Sequence, residues 1–186
     1  MRPIRSYIDQ PLAVGMRIAL PEGAAGHLLR TLRLGVGDGC VLFNGDGHDY
    51  AARIVEAGKR STVIEVLDAT PVDNESPLRV TLVQGIARGE KMDLVLQKAT
   101  ELGVDRIVPV NSERSEVKLD GERLERRVAH WRAVLASACE QCGRARLPRL
   151  DAPVALASVG GLLDPGGLRL TLDPQGAHAL PGLAPR

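Results

Sequence analysis

Aromatic side chains are almost missing from this chain. One Trp, two Tyr and one Phe make up 2% of its 186 residues, so any core must be assembled from Leu, Val, Ile and Ala. Cysteine is also scarce: Cys40, Cys139 and Cys142 are an odd number and supply no disulfide framework. No apolar run approaches the roughly 20 residues that a membrane-spanning helix needs. The opening MRPIRSYIDQPL lacks the apolar stretch of a secretion signal. These absences point to a cytoplasmic protein with no membrane partner. Charge of one sign is missing too: 24 Lys and Arg stand against 23 Asp and Glu, a formal net of +1. No global field therefore draws the molecule toward a polyanion or an anionic membrane. What is left, 44% hydrophobic and 25% charged, is an ordinary globular composition, long enough for one large domain or two small ones.

The charge is balanced but not evenly spread. Between Arg123 and Arg149 seven arginines face only Glu125 and Glu140, and residues 1–33 hold Arg2, Arg5, Arg17, Arg30 and Arg33 against Asp9 and Glu22. Two basic zones on a neutral protein suit a polyanion bound at a defined place, although each is also what a solvated helix face looks like. Two tempting motifs fail on context. CEQC has Cys-x-x-Cys spacing, but there is no second pair and His130 is the only histidine nearby, so zinc lacks its ligands. Both cysteines fall in a helical apolar stripe and read as small core residues, with no metal implied. GVGDG precedes a strand, whereas a phosphate loop must follow a strand and open a helix.

Up to about residue 70 the pattern is that of short strands: RSYI, MRIAL, CVLFNG, DYAARIVEA and STVIEVLDA, separated by turns. GAAGHLLRTLRL interrupts them as a short helix, with Leu28, Leu29 and Leu32 inward and His27, Arg30 and Arg33 at three-residue spacing on one side. This half is expected to be a small β-barrel over 1–70. DATPVDNESPL, with two prolines and no period, contains a linker placed at 71–78.

Beyond it the rhythm becomes strand–helix–strand–helix–strand. RVTLVQGIA is a near-continuous apolar run, typical of a strand covered on both faces. KMDLVLQKATELG follows as a helix, with Met92, Val95, Leu96, Ala99 and Leu102 on one face and Gly103 as its C-cap. DRIVPV is the second strand. A long helix over GERLERRVAHWRAVLASACEQCG carries Leu124, Val128, Trp131, Leu135, Ala138 and Cys142 inward, and LRLTLD is the third strand. Such alternation predicts a parallel sheet with right-handed crossovers, whose ligands lie beyond the carboxyl ends of its strands. Those ends are QGIARGEK, VNSERSEVK and DPQGA, which puts Ser112-Glu113-Arg114-Ser115 where chemistry is expected; a capping turn is the plainer reading of the same residues. Lys91, Lys98 and Glu101 share one side of the first helix with Leu94. A leucine there suggests cover by another element, such as a second subunit, while Lys98 and Glu101 are also spaced to pair with each other.

HLLRTLRLGVGD with LFNGDGHDY, then ARGEKMDLVLQKATELGVDRIVPVNSERSEVK, then ERRVAHWRAVLASACEQCGRARLP together closely resemble the RsmE family, over about Arg5 to Pro153. The resemblance implies an S-adenosylmethionine-dependent methyltransferase of uridine N3 in small-subunit ribosomal RNA. It implies a homodimer, with a PUA-like N-terminal β-barrel joined to a SPOUT-type α/β domain at 79–186. Members continue with a Gly-Pro-Glu-Gly-Gly loop and a Leu-Gly-x-Arg segment that close a trefoil knot around the cofactor. Neither is present here, so the expectation is a piece of a longer chain, cut before the knot.

Methylating uridine N3 means removing a weakly acidic proton and holding an anion beside an electrophilic methyl group, on a base splayed out of its stack. The resemblance and strand positions nominate Arg114 to grip phosphate or the developing oxyanion, with Glu101 and Glu140 as acceptors or orienters. Gln141 and Arg144 match a family motif expected near the active face. His27, Arg30 and Arg33 of the barrel, with Arg5, Lys91, Lys98, Gln141 and Arg144, are expected on the RNA. Leu172, Asp173 and Pro174 would form one wall of the cofactor pocket. Still open are an RNA-binding protein without activity, a related enzyme for a different RNA, and a nucleotide-binding regulator, against which the missing phosphate loop counts.

Overall fold

The computed structural model describes residues 3–58, 61–111, 121–173 and 175–176. Its first unit is a five-stranded sheet in the order β1-β3-β4-β5-β2. The strands are β1 (Arg5–Tyr7), β2 (Arg17–Ala19), β3 (Gly39–Phe43), β4 (His48–Ala57) and β5 (Thr62–Pro71). β1 pairs parallel to β3 and the rest pair antiparallel. The long β4–β5 hairpin alternates as its sequence does: Tyr50, Ala52 and Ile54 point in, and Ile54 stands opposite Ile64. Two register shifts, at Ala51/Ala52 and Ile54/Glu56, bend the ribbon over its core. Leu28, Leu42, Ile54 and Ile64 are fully buried there, each worth roughly 2 kcal/mol of transfer free energy.

The expected single helix before β3 is two pieces. α1 (Glu22–Gly26) is followed by a π-helical turn over His27–Thr31. Two glycines and no buried residue in α1 leave little to hold a regular helix.

The second unit is a parallel sheet. β6 (Thr81–Gly85) leads through α2 (Glu90–Glu101) to β7 (Arg106–Asn111), and α3 (Gly121–Cys142) follows. β6 and β7 pair from Thr81↔Arg106 to Gly85↔Val110. Met92, Leu96, Trp131 and Leu135 pack α2 and α3 on Ile107 as the periodicity predicts. Leu102 does not join them: it caps α2 and is 84% exposed, while Thr100, donating its hydroxyl hydrogen bond to Leu96 O, is buried. The step of four from Met92 through Leu96 reaches Thr100, so position 102 falls on the far side.

The third strand also differs from expectation. Residues 168–173 pair with nothing described, and Leu168, Leu170 and Leu172 are 76%, 51% and 83% exposed. The far edge of β7 is taken instead by β8 (Arg149–Leu150) and β9 (Val154–Ala155). One strand becomes two because Val108 and Pro109 lie opposite the gap, and Pro109 has no N–H to donate. A 3-10 turn over Leu156–Leu162 then closes a small cluster of Val108, Val110 and Val159. No helix among the described residues is long and apolar enough to cross a membrane.

Candidate nucleic-acid interface

The backbone is least regular where the barrel is most basic. The His27–Thr31 turn is widened to π-helical form, closed by Leu32 N–H donating to His27 O at 3.0 Å and Leu34 N–H to Leu28 O at 3.0 Å. Arg33 follows at φ 57°, the single non-glycine residue of the described chain in the left-handed region. Such conformations cost roughly 1–3 kcal/mol and persist only when the surroundings hold them; π-turns likewise gather at functional sites. Here the fully buried Leu28 is the anchor. His27, Arg30 and Arg33 are exposed, with the Arg30 guanidinium folded back over Gly26, where any β-carbon would overlap it.

Two other arginines nominated for RNA are turned inward. Arg144 is 6% exposed. Its Nε and Nη2 donate to the two oxygens of Glu75 at 3.0 and 2.5 Å, and Nη1 donates to Thr100 O and Val104 O at 3.0 Å each. Burial alone would lower its pKa, but the Glu75 bonds more than offset that and raise it. Arg5 pairs with Asp49, donates from Nη2 to Arg144 O at 3.0 Å, and lies 4.7 Å over the Phe43 ring. Gly47 N–H donates to Ala145 O and Asn74 Nδ2 to Gly143 O. Barrel, connecting segment and α2 thus all grip the turn after α3. Sequence reasoning treated Asn74 and Glu75 as linker, because partners 69 residues away carry no local signal.

Between the barrel and α3 lies a groove of about 720 Å³. β1 is an edge strand, and its Tyr7 N–H donates across to Glu140 Oε1 at 2.9 Å. The Tyr7 ring packs on Phe43 with centroids 5.6 Å apart, and its hydroxyl donates to Asp9 at 3.2 Å. Burial, then the Asp9 carboxylate, push that hydroxyl up to about 12, so it stays a neutral donor. Exposed His27 and Arg132 also line the groove. Sequence reading missed Tyr7 and Arg132; the faint signal was that Tyr7 is one of two tyrosines in the chain.

A second groove, of about 620 Å³ between α2 and α3, holds Lys91, Leu94 and Gln141. Lys98 donates to Glu101 at 2.7 Å as an exposed pair. Topology separates the nominated carboxylates from the proposed chemical edge. α2 leaves the carboxyl end of β6 and ends before β7 begins, and α3 does the same from β7 to β8. Glu101 and Glu140, in the last turns of α2 and α3, therefore lie toward the amino ends of the strands. Asn111, just before Ser112, is at the carboxyl end. Glu101 and Glu140 thus lie on the opposite edge from Asn111, away from the strand end on which their role was expected: a crossover helix must return the chain to the starting edge. Gln141 and Arg144 share that amino-end placement. Arg114 and Pro174 lie outside the described residues. Leu172 is 83% exposed, and Asp173 accepts Gln175 N–H in a turn of its own at 2.9 Å, so these two form no enclosing wall. Burial raises Cys139 to about 12 and its Sγ donates to Arg146 O, which leaves an inert thiol.

A family model described as RNA methyltransferase domain matches residues 74–185, and one described as RNA methyltransferase PUA domain matches residues 20–67. The crystal structure of a ribosomal RNA small subunit methyltransferase E from Neisseria gonorrhoeae, bound to S-adenosyl methionine, superposes with a TM-score of 0.92 at 36% identity. It covers 98% of this chain and 75% of that one. The chain belongs to the ribosomal RNA small subunit methyltransferase E family. Curated family members include one from Buchnera aphidicola, 28% identical over 81% of this chain and 59% of its own length. Another from Mycobacterium bovis is 32% identical over 78% of this chain and 55% of its own. The chain thus spans a little over half the length of these relatives. The family assignment makes the five-stranded unit a PUA domain and the parallel-sheet unit the methyltransferase domain.

Proposed function

We propose that this protein works in the cytoplasm, as a homodimer, in S-adenosylmethionine-dependent methylation of uridine N3 in small-subunit ribosomal RNA. The observation that carries this reading is the superposition of 98% of the chain, at TM-score 0.92, on a family member holding the cofactor. The exposed His27, Arg30 and Arg33 would take RNA phosphates. Lys91 and Gln141 would meet RNA or the second subunit along the α2–α3 groove, where Leu94 is 55% exposed. Arg114, in the loop after β7, would hold phosphate or the oxyanion that forms as N3 loses its proton, because its planar fork can donate two hydrogen bonds at once. S-adenosylmethionine supplies an electrophilic methyl group. Leu172 and Asp173 do not fit it as placed, since Leu172 is exposed and Asp173 is engaged in a turn of its own.

The test is transfer of tritiated methyl from S-adenosylmethionine to small subunits that lack the modification, followed by nuclease digestion and chromatography. Label in 3-methyluridine is the expected outcome; label in another nucleoside would replace the proposed target. The exposed 168–173 segment favours one second reading, an RNA-binding protein without transferase activity. Tight binding to ribosomal RNA with neither label transfer nor calorimetric binding of the cofactor would select it.

A further inference from the structure

The groove between the PUA domain and α3 is unassigned by anything above. It lies at the amino edge of the parallel sheet, beside the last turns of α3 and the segment entering β8, and so on the opposite edge from Asn111 and the loop after it. The proposed chemistry follows Asn111, so the groove is read as a site apart from the reacting base. Three observations say what it could hold. His27 belongs both to the groove and to the irregular basic turn that continues through Arg30 to the left-handed Arg33, while Arg132 of α3 is exposed on the groove's other side. Basic side chain types thus stand on both walls of the groove, His27 on the PUA domain and Arg132 on the long helix. The same lining also carries carboxylates, exposed Asp9 and half-buried Glu140, and Glu140 engages Tyr7 N–H through Oε1, leaving Oε2 as an acceptor. Carboxylates beside Tyr7 repel a phosphate but accept hydrogen bonds from the N–H groups of a nucleobase. The third observation is shape: Ala133 and Ser137 are small exposed residues on the α3 wall, and Tyr7 provides an aromatic ring opposite.

We infer that this groove holds one unpaired nucleotide of the substrate RNA, its base inside against Tyr7 and its flanking phosphates outside on His27, Arg30 and Arg132. The occupant is a nucleotide neighbouring the methylated one, so the groove positions the strand and performs no chemistry. The inference rests on the proposed action on ribosomal RNA. It adds a requirement that reading lacks: recognition spans both units, and α3 carries part of it. Single-stranded RNA is read in this manner elsewhere, by stacking on aromatic rings with basic groups along the backbone.

Two substitutions test it by different routes. Ala133→Trp fills the groove from an exposed helix position, and Arg132→Glu reverses the charge at its mouth. Binding of purified small-subunit ribosomal RNA is measured by filter retention against the unaltered protein, with melting temperature alongside. Both variants are expected to melt like the parent yet bind at least about tenfold more weakly, the effect of losing roughly one stacked base. Affinity within about twofold of the parent for both would overturn the inference while leaving action on ribosomal RNA untouched. Weakened binding to assembled subunits with unchanged binding to naked RNA would overturn it in favour of a ribosomal-protein contact. If the unaltered protein retains no ribosomal RNA at all, the broader reading fails and this inference with it. Should Ala133→Trp lower the melting temperature, Arg132→Glu decides alone.

Discussion

Arg144 and Arg5 on one side, Arg30 and Arg33 on the other, look alike in the sequence and behave as opposites in the fold. The first two are buried at the joint between the domains and bind Asp49, Glu75 and backbone carbonyls, with only Arg5 Nε lacking a partner among the described residues. The second two stand exposed on a turn whose backbone is irregular. A buried guanidinium must have its hydrogen bonds satisfied inside the protein, and the joint supplies both acceptors and counter-charge. An exposed one is free to meet an outside anion. The difference shows that a basic zone in a sequence can be half scaffold and half ligand surface, and that only burial separates the two.

The largest effect that could break this comparison is at the joint. Arg144→Ala removes four hydrogen bonds and leaves Glu75 and Val104 O without that donor, while Thr100 O keeps Gly103 N–H, so it should cost about 3–5 kcal/mol of stability by urea unfolding. A loss below about 1 kcal/mol would mean that the joint holds nothing together. On the turn, the double change Arg30→Ala and Arg33→Ala should leave urea unfolding nearly unchanged. It should lower the slope of log affinity against log salt for RNA by up to about two, at roughly 0.7–0.9 per phosphate contact. An unchanged slope would make both arginines a solvated face.

A subtler test is pH. Burial alone would raise Asp151, but its hydrogen bond and ion pair with Arg106, helped by Arg149, outweigh that and hold it below the usual carboxylate range. A depressed carboxylate contributes stability that is present above its unfolded value of about 3.9 and lost as pH falls through the folded value. The urea midpoint should therefore drop more steeply below about pH 4 in the parent than in Asp151→Asn, and parallel curves would refute the assignment. Smallest of all, Lys98→Ala removes an exposed pair and should change stability by less than about 0.5 kcal/mol.

Much of the scaffold was legible beforehand, for physical reasons that differ by element. Met92, Leu96, Trp131 and Leu135 are core residues because an apolar stripe at helical period has one face to bury. The β4–β5 hairpin was legible because alternation at period two does the same for a strand. Residues 168–173 show the limit of that signal. Leu168, Leu170 and Leu172 alternate correctly, yet alternation does not name a partner: both edges of β7 are taken by β6, β8 and β9, and these residues do not pair with the outer edge of β6 either. β8 and β9, at two residues each, are too short to show any period.

The same division runs through the candidate site. Local sequence was enough to put His27, Arg30 and Arg33 on one short exposed segment, but the π-turn and the left-handed Arg33 replace the helical three-residue spacing it assumed. It was also enough to put the Ser112–Ser115 run after a buried strand. The amino acids alone thus determined the two-part architecture, the helix and strand periods and the basic turn, all of which follow from interactions within a few residues. Tertiary structure alone decided that Arg5 and Arg144 tie the domains together, that Glu101 and Glu140 sit at the opposite end of the sheet from Asn111, and that Tyr7 and Arg132 face one groove. Each of these depends on chain segments far apart in sequence being brought into contact, and no local pattern encodes which polar groups will meet there.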